Sequence, residues 1–155
     1  MLKIINKYIL LKKKYKSGTL RTWGSSCQTN SLGASSVGFK SVTGSVESPN
    51  GSEAWLQNAV ATIGPVTIAI DVVKSFFSYS SGVYYDSDCS SSSPNYAGGH
   101  AIVAVGYGTD PINGAYWIVR NSWGTKWGQQ GYILMARNRG NLCGLASYAT
   151  YPLIN

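Results

Sequence analysis

Two nearly unbroken apolar runs, "HAIVAVGY" (100–107) and "AYWIVRNSW" (115–123), flank a short stretch of Gly, Thr, Asp, Pro, Ile and Asn. Runs rich in Val, Ile and aromatic residues read as strands, and the turn residues between them make a hairpin. Side chains alternate between the faces of a strand, so strands apolar on both faces call for cover on both. The pattern predicts an antiparallel sheet that curls into a β-barrel with something packed outside it. "VTIAID" (66–71) and "GYILMARN" (131–138) add further strands. "NGSEAWLQNAVATIGP" is the clearest helix, with Asn50 and Glu53 in capping-box spacing, an apolar face of Trp55, Leu56, Ala59, Val60 and Ile63, and a stop at Gly64-Pro65. The class expected is α+β, mainly antiparallel β.

The hairpin carries His100, the chain's one histidine. If Tyr107 faces Tyr116, His100 lies opposite Trp123 with Asn121 diagonal to it, all on one face. A one-residue slip would separate them. A histidine base needs its ring held in one tautomer. An Asn carbonyl can accept from one ring N–H and leave the other nitrogen for a nucleophile, while an indole shields the contact from water. Each residue alone has an ordinary structural use; their convergence at one sheet end points to catalysis.

Composition narrows the function classes. The 155 residues carry a formal net charge of +7, but six lysines and no acid fall in residues 1–16. The remainder holds seven basic and six acidic residues, so the body gives no ground for a nucleic-acid partner. No apolar run is long enough to span a bilayer. Residues 1–16 hold no convincing signal peptide: their longest uncharged apolar run is Tyr8–Leu11, against roughly 7–15 residues for a secretory core. Leu2, Ile5 and Ile9 would suit one face of a short basic helix, but the stretch is read as a disordered lead-in rather than a membrane contact. Residues 17–52, rich in Ser, Gly and Thr, read as loops with one or two edge strands, and 86–99 as a polar loop. One histidine and scattered acids give no metal-ligand spacing.

"GGHAIVAVGYGTD", "AVATIGPVTIAID" and "YWIVRNSWGTKWGQQGYILMARNRGNLCGLASYATYP" resemble the C-terminal half of papain-like cysteine proteases, closest to the cathepsin L group, over about Ser17–Pro152. The resemblance implies that residues 17–155 are the β-barrel (right-hand) domain of that fold. It implies His100 as catalytic base, Asn121 as its orienter, Trp123 as the shield over their contact and Trp127 on the leaving-group side. The walls of the main specificity pocket would include Ala69, Gly98, Gly99 and Tyr148, with Tyr148 shortening it where relatives carry a small residue. Cys89 and Cys143 would form a disulfide, which implies an oxidising compartment, extracellular or lysosomal. The implied activity is endopeptidase hydrolysis of protein or peptide substrates through a thiol nucleophile, with no cofactor.

That nucleophile sits in a pattern like C-G-S-C-W, about 130–150 residues before the histidine in this family. His100 has 99 residues before it, and the pattern does not occur. The expectation is a chain without the helical half, inactive alone, whose partners are such an N-terminal half-domain or a peptidase inhibitor. Cys27, in "TWGSSCQTN", precedes His100 by 73 residues and is read as an odd disulfide cysteine, not a nucleophile. No serine stands in a nucleophile elbow. Two other readings stay open: a non-catalytic peptide- or inhibitor-binding pseudo-peptidase fragment, and a truncated gene product without function.

Overall fold

The computed structural model describes residues 42–49, 51–90 and 92–154. Its elements are β1 (Val42–Glu47), α1 (Glu53–Thr62), β2 (Val66–Val73), α2 (Lys74–Phe77), β3 (Val83–Tyr84), β4 (Tyr96–Asp110), β5 (Gly114–Arg120), β6 (Tyr132–Ala136), a 3-10 turn at Leu142–Gly144, and β7 (Tyr148–Ile154). Residues 47–151 make one compact unit; of the described residues, 42–46 and 152–154 belong to a second. The lysine-rich start, Cys27 and Asn50 lie outside the described residues.

Helix α1 begins two residues later than its sequence suggests. Its N-cap is Ser52, in extended conformation, whose hydroxyl accepts from the Trp55 N–H at 3.2 Å. Glu53 is therefore the first helical residue, and its carboxylate is spent on other donors. Oε2 accepts from Trp117 Nε1 at 3.0 Å and the Asn138 N–H at 2.8 Å, and Oε1 from the Asn141 N–H at 3.0 Å. Leu56, Ala59 and Val60 are buried, while Ile63, expected on the same face, is 51% exposed. The helix ends as the Ile63 N–H bonds back to the Ala59 carbonyl, just before Gly64-Pro65.

The seven strands hydrogen-bond in the order β1-β7-β2-β4-β5-β6-β3. β2 pairs antiparallel with both β4 and β7, β5 antiparallel with both β4 and β6, and β3 joins in parallel on β6. The sheet is mixed, mostly antiparallel, and open. This corrects the expected barrel: β1 and β3 are free ends of the order, and two-residue β3 offers too short an edge to close on anything. The both-faces-apolar pattern also misled. Val66, Ile68, Ile70, Ile102, Ala104, Trp117, Val119, Ile133 and Met135 are buried, whereas Thr67 and Ala101 on the alternate positions are exposed and Ala69, Val103 and Ile118 half-buried. Full burial of each large core side chain contributes about 1.5–3 kcal/mol.

The β4–β5 hairpin turns at Asp110, whose Oδ1 accepts from the N–H groups of Ile112 (2.9 Å) and Asn113 (2.7 Å). From the turn inward, Gly108 pairs with Tyr116 and Tyr107 with Trp117, one residue off the assumed register. A bulge at Val105 then resets the ladder, so that Ala104 pairs with Val119 and Val103 with Arg120. Extended three residues further, that reset register is the one that sets His100 against the segment after β5. β4 itself starts at Tyr96, inside the stretch expected to be a polar loop.

Candidate active site

His100 lies on β4 opposite Ile70 of β2, and Asn121 directly follows β5. Asn121 is anchored by its own N–H, which donates to the Gly131 carbonyl at 2.9 Å, and is 6% exposed. Its Oδ1 accepts from the Ser122 N–H at 2.7 Å and lies 2.9 Å from His100 Nε2. A main-chain N–H is always a donor, so it fixes which end of the carboxamide is oxygen. An oxygen can only accept, so His100 Nε2 carries the proton. The neutral imidazole is then the Nε2–H tautomer, with Nδ1 left as the lone-pair nitrogen. The Asn121 Nδ2 is buried and has no hydrogen-bond partner among the described residues.

An aromatic shell surrounds this contact. The Trp123 ring lies 5.1 Å from the His100 ring at 27°, 5.2 Å from Trp127 at 79°, and 5.6 Å from the buried Phe76 at 89°. Phe77 stacks on Trp123 at 5.2 Å and 1°. The Trp127 indole N–H donates to the Phe77 carbonyl at 3.1 Å, tying the loop after β5 to the end of α2. That loop turns on glycine. Gly128 sits at φ 54, and a Cβ there would lie 2.6 Å from the Tyr132 carbonyl oxygen, so glycine at this position is a steric requirement of the turn.

Beside the pair, a cleft of about 210 Å³ is lined by Ala69, Gly99, Tyr148, Asp71, Gly144 and Ser147 among others. Ala69 sits between Ala101 and Tyr148 in the sheet. Tyr148 is 79% exposed, so its ring stands at the rim of the cleft. Gly98 pairs with Val72 and is not part of the lining. Cys89 and Cys143 are disulfide-bonded and buried, and Cys143 also lines the cleft, so the bond ties the segment preceding β4 to the cleft floor. Burial holds the Tyr84 phenol above its ordinary value; the Ser75 hydrogen bond opposes this and Asp86 adds to it. Among the described residues no cluster of three or more His, Cys, Asp or Glu is placed to hold a metal ion, and no helix is long and apolar enough to cross a membrane.

The structure thus brings His100, Asn121, Trp123 and Trp127 together and sets Ala69, Gly99 and Tyr148 in the neighbouring cleft. Sequence reasoning missed Phe76 and Phe77, whose only signal is an apolar "SFF" after β2, and missed the cleft-lining Asp71, Gly144 and Ser147.

The family model for papain family cysteine proteases matches residues 4–153. The chain is 54% identical over 112 residues to a cathepsin L-like protein of Caenorhabditis elegans, covering 72% of this chain and 32% of that one. It is 46% identical over 132 residues to cathepsin L of Sarcophaga peregrina, covering 83% and 36%. Among solved structures, the bromelain protease of Ananas comosus in complex with the E64 inhibitor superposes with a TM-score of 0.71 at 36% identity, over 88% of this chain and 60% of that one. Digestive procathepsin L2 proteinase from the Tenebrio molitor larval midgut gives 0.64 at 43%, over 72% and 34%. The chain spans about a third of the length of the curated relatives it matches. With its His–Asn pair, its buried disulfide and its mostly antiparallel sheet, the chain belongs to the papain family of cysteine proteases and is cathepsin L-like within it.

Proposed function

We propose that this chain supplies the general base, its orienting group and part of the substrate cleft for peptide-bond hydrolysis by a cysteine endopeptidase. The observation that carries the reading is the shared Asn121 Oδ1, which the Ser122 N–H orients and which in turn holds His100 as the Nε2–H tautomer. Nδ1 is then the atom that takes a thiol proton. The thiolate attacks the substrate carbonyl, the amine leaves with the proton returned by the imidazole, and water taken through the same nitrogen hydrolyses the thioester. Trp123 keeps water off the His–Asn bond, Trp127 stands on the leaving-group side, and His100 and Asn121 act together as one unit.

The thiol comes from a helical half carrying a C-G-S-C-W-like segment, which the 155 residues do not contain. Cys89 and Cys143 are consumed by their disulfide, and the domain 17–155 is inactive by itself. Ala69, Gly99 and Tyr148 contribute to the pocket for the side chain next but one to the cleaved bond, and the apolar cleft favours a bulky apolar group there. A buried disulfide fits folding in an oxidising, extracellular or lysosomal compartment.

The test joins this chain to the thiol-bearing half of a cathepsin L-like relative and follows hydrolysis of a fluorogenic peptide. Activity should appear in the assembled protein and fall by about two to four orders of magnitude in His100→Ala, the range for loss of a general base. Asn121→Ala should cost less. Turnover that survives His100→Ala, or an assembled protein that binds peptide without cleaving it, would overturn the reading.

A further inference from the structure

Phe77 is 52% exposed, and Trp123 is its one recorded ring partner among the described residues. Core packing does not account for it: its neighbour Phe76 is fully buried and already fills the space under the loop, in contact with Tyr84, Trp123 and Trp127. Phe77 is nonetheless held from two directions. Its ring lies parallel to the Trp123 ring at 1°, and its carbonyl receives the Trp127 indole N–H. The other neighbours meet Trp123 differently. Phe76 and Trp127 touch it edge-on, which limits how far it can slide sideways, and His100 lies against it at 27°. The Phe77 contact is the most nearly parallel of the four, and it adds to the resistance against a tilt of the indole plane.

We infer that Phe77 is a positioning residue for the His100–Asn121 pair, acting through Trp123: stacked on the indole, it keeps that ring lying over the hydrogen bond and keeps water away from it. The inference rests on the proposed function, in which the Nε2–H bond to Asn121 leaves Nδ1 free as the base. Phe77 touches neither His100 nor Asn121 in any recorded contact, so its effect passes through the indole.

The chain's single histidine makes the test direct. With nitrogen-15-labelled histidine, the only imidazole signals in the spectrum belong to His100. The unaltered chain should show the Nε2–H tautomer with a slowly exchanging ring proton. In Phe77→Ala the tautomer should persist while exchange of that proton with water quickens by roughly two- to tenfold, the effect of losing one stacked aromatic pair. Phe77→Tyr, which keeps a stackable ring, should restore the slow rate. Exchange unchanged within twofold in Phe77→Ala, with Nε2–H intact, would overturn the role of Phe77 and leave the proposed function standing. Failure of Phe77→Tyr to restore the slow rate would also overturn it. A rise matched by the backbone amides of buried Ile133 and Met135 would mean general loosening and would overturn it too. An Nδ1–H tautomer in the unaltered chain would overturn both readings.

Discussion

Glu53→Ala is expected to destabilise the fold by about 3 kcal/mol. The carboxylate holds three donors on segments far apart in sequence: the Trp117 indole, and the main-chain N–H groups of Asn138 and Asn141. Trp117 is fully buried, so its Nε1–H would be left without a partner at about 1–3 kcal/mol. The Asn141 N–H is partly buried and adds about 0.5–1.5 kcal/mol. The Asn138 N–H is exposed and bonds to water at little cost. Loss of an acid at the first helical position adds about 0.3–1 kcal/mol. Glu53→Gln should cost about half as much, because its carbonyl can serve Trp117 and Asn138 while its amide faces the Asn141 N–H donor to donor. Urea unfolding followed by tryptophan fluorescence reads the difference as a lower midpoint at unchanged slope. A thermal scan should show a drop of roughly 6–12 °C for Glu53→Ala. A cost below about 0.5 kcal/mol, or a Gln variant as unstable as the Ala variant, would refute the account of Glu53 as the clasp joining α1, β5 and the segment after β6.

Replacing Cys89 and Cys143 together by Ala should cost about 4 kcal/mol, since the bond closes a loop with a sequence separation of 54; equal urea midpoints for the variant and the oxidised protein would contradict it. Gly128→Ala should destabilise by about 2 kcal/mol or more, because the residue combines positive φ with a 2.6 Å approach to the Tyr132 carbonyl, whereas Gly114→Ala, with open space around it, should cost only about 1 kcal/mol; equal midpoints for the two would remove the steric argument. The Tyr84 phenol is held above its ordinary value of 10.0, chiefly by burial, so the folded state keeps that proton more tightly than the unfolded state does. Its contribution is intact below about pH 10 and lost as pH rises past it. Tyr84→Phe should therefore flatten the alkaline decline in unfolding midpoint, and an unchanged alkaline limb would exclude Tyr84 as a cause.

What the sequence made legible was the part fixed by local chemistry. Strands at 66–71 and 100–107, and a helix bounded by Gly64-Pro65, follow from composition and turn residues, and the structure has them at Val66–Val73, Tyr96–Asp110 and Glu53–Thr62. The cap at Ser52 was missed because Asn50 and Glu53 also satisfy a capping pattern, and only the tertiary demand for Glu53 at Trp117 and Asn141 decides between them. Sheet closure failed for a different reason: apolar residues on both faces say that cover is wanted, not that a strand order must meet end to end. At the site, juxtaposition of His100 with Asn121 was reachable from alternation and an assumed register. That register is wrong at Tyr107 and corrected by an extra residue whose presence Val105 does nothing to advertise. The aromatic shell from α2 was not readable, since a helix of four residues has no periodicity to detect.

The bulge at Val105 has a practical consequence for engineering. Ala104 and Tyr107, three residues apart, both pair with buried residues of β5, Val119 and Trp117, an odd spacing that an unbroken strand would send to opposite faces. The strand changes parity there, and its two halves are independent rulers. Asp110 lies ten residues from His100, about 30 Å along the strand, and Ile112 at the tip is 90% exposed. The tip is thus a natural port for a fluorophore, an affinity handle or a surface tether, remote from the imidazole along the strand.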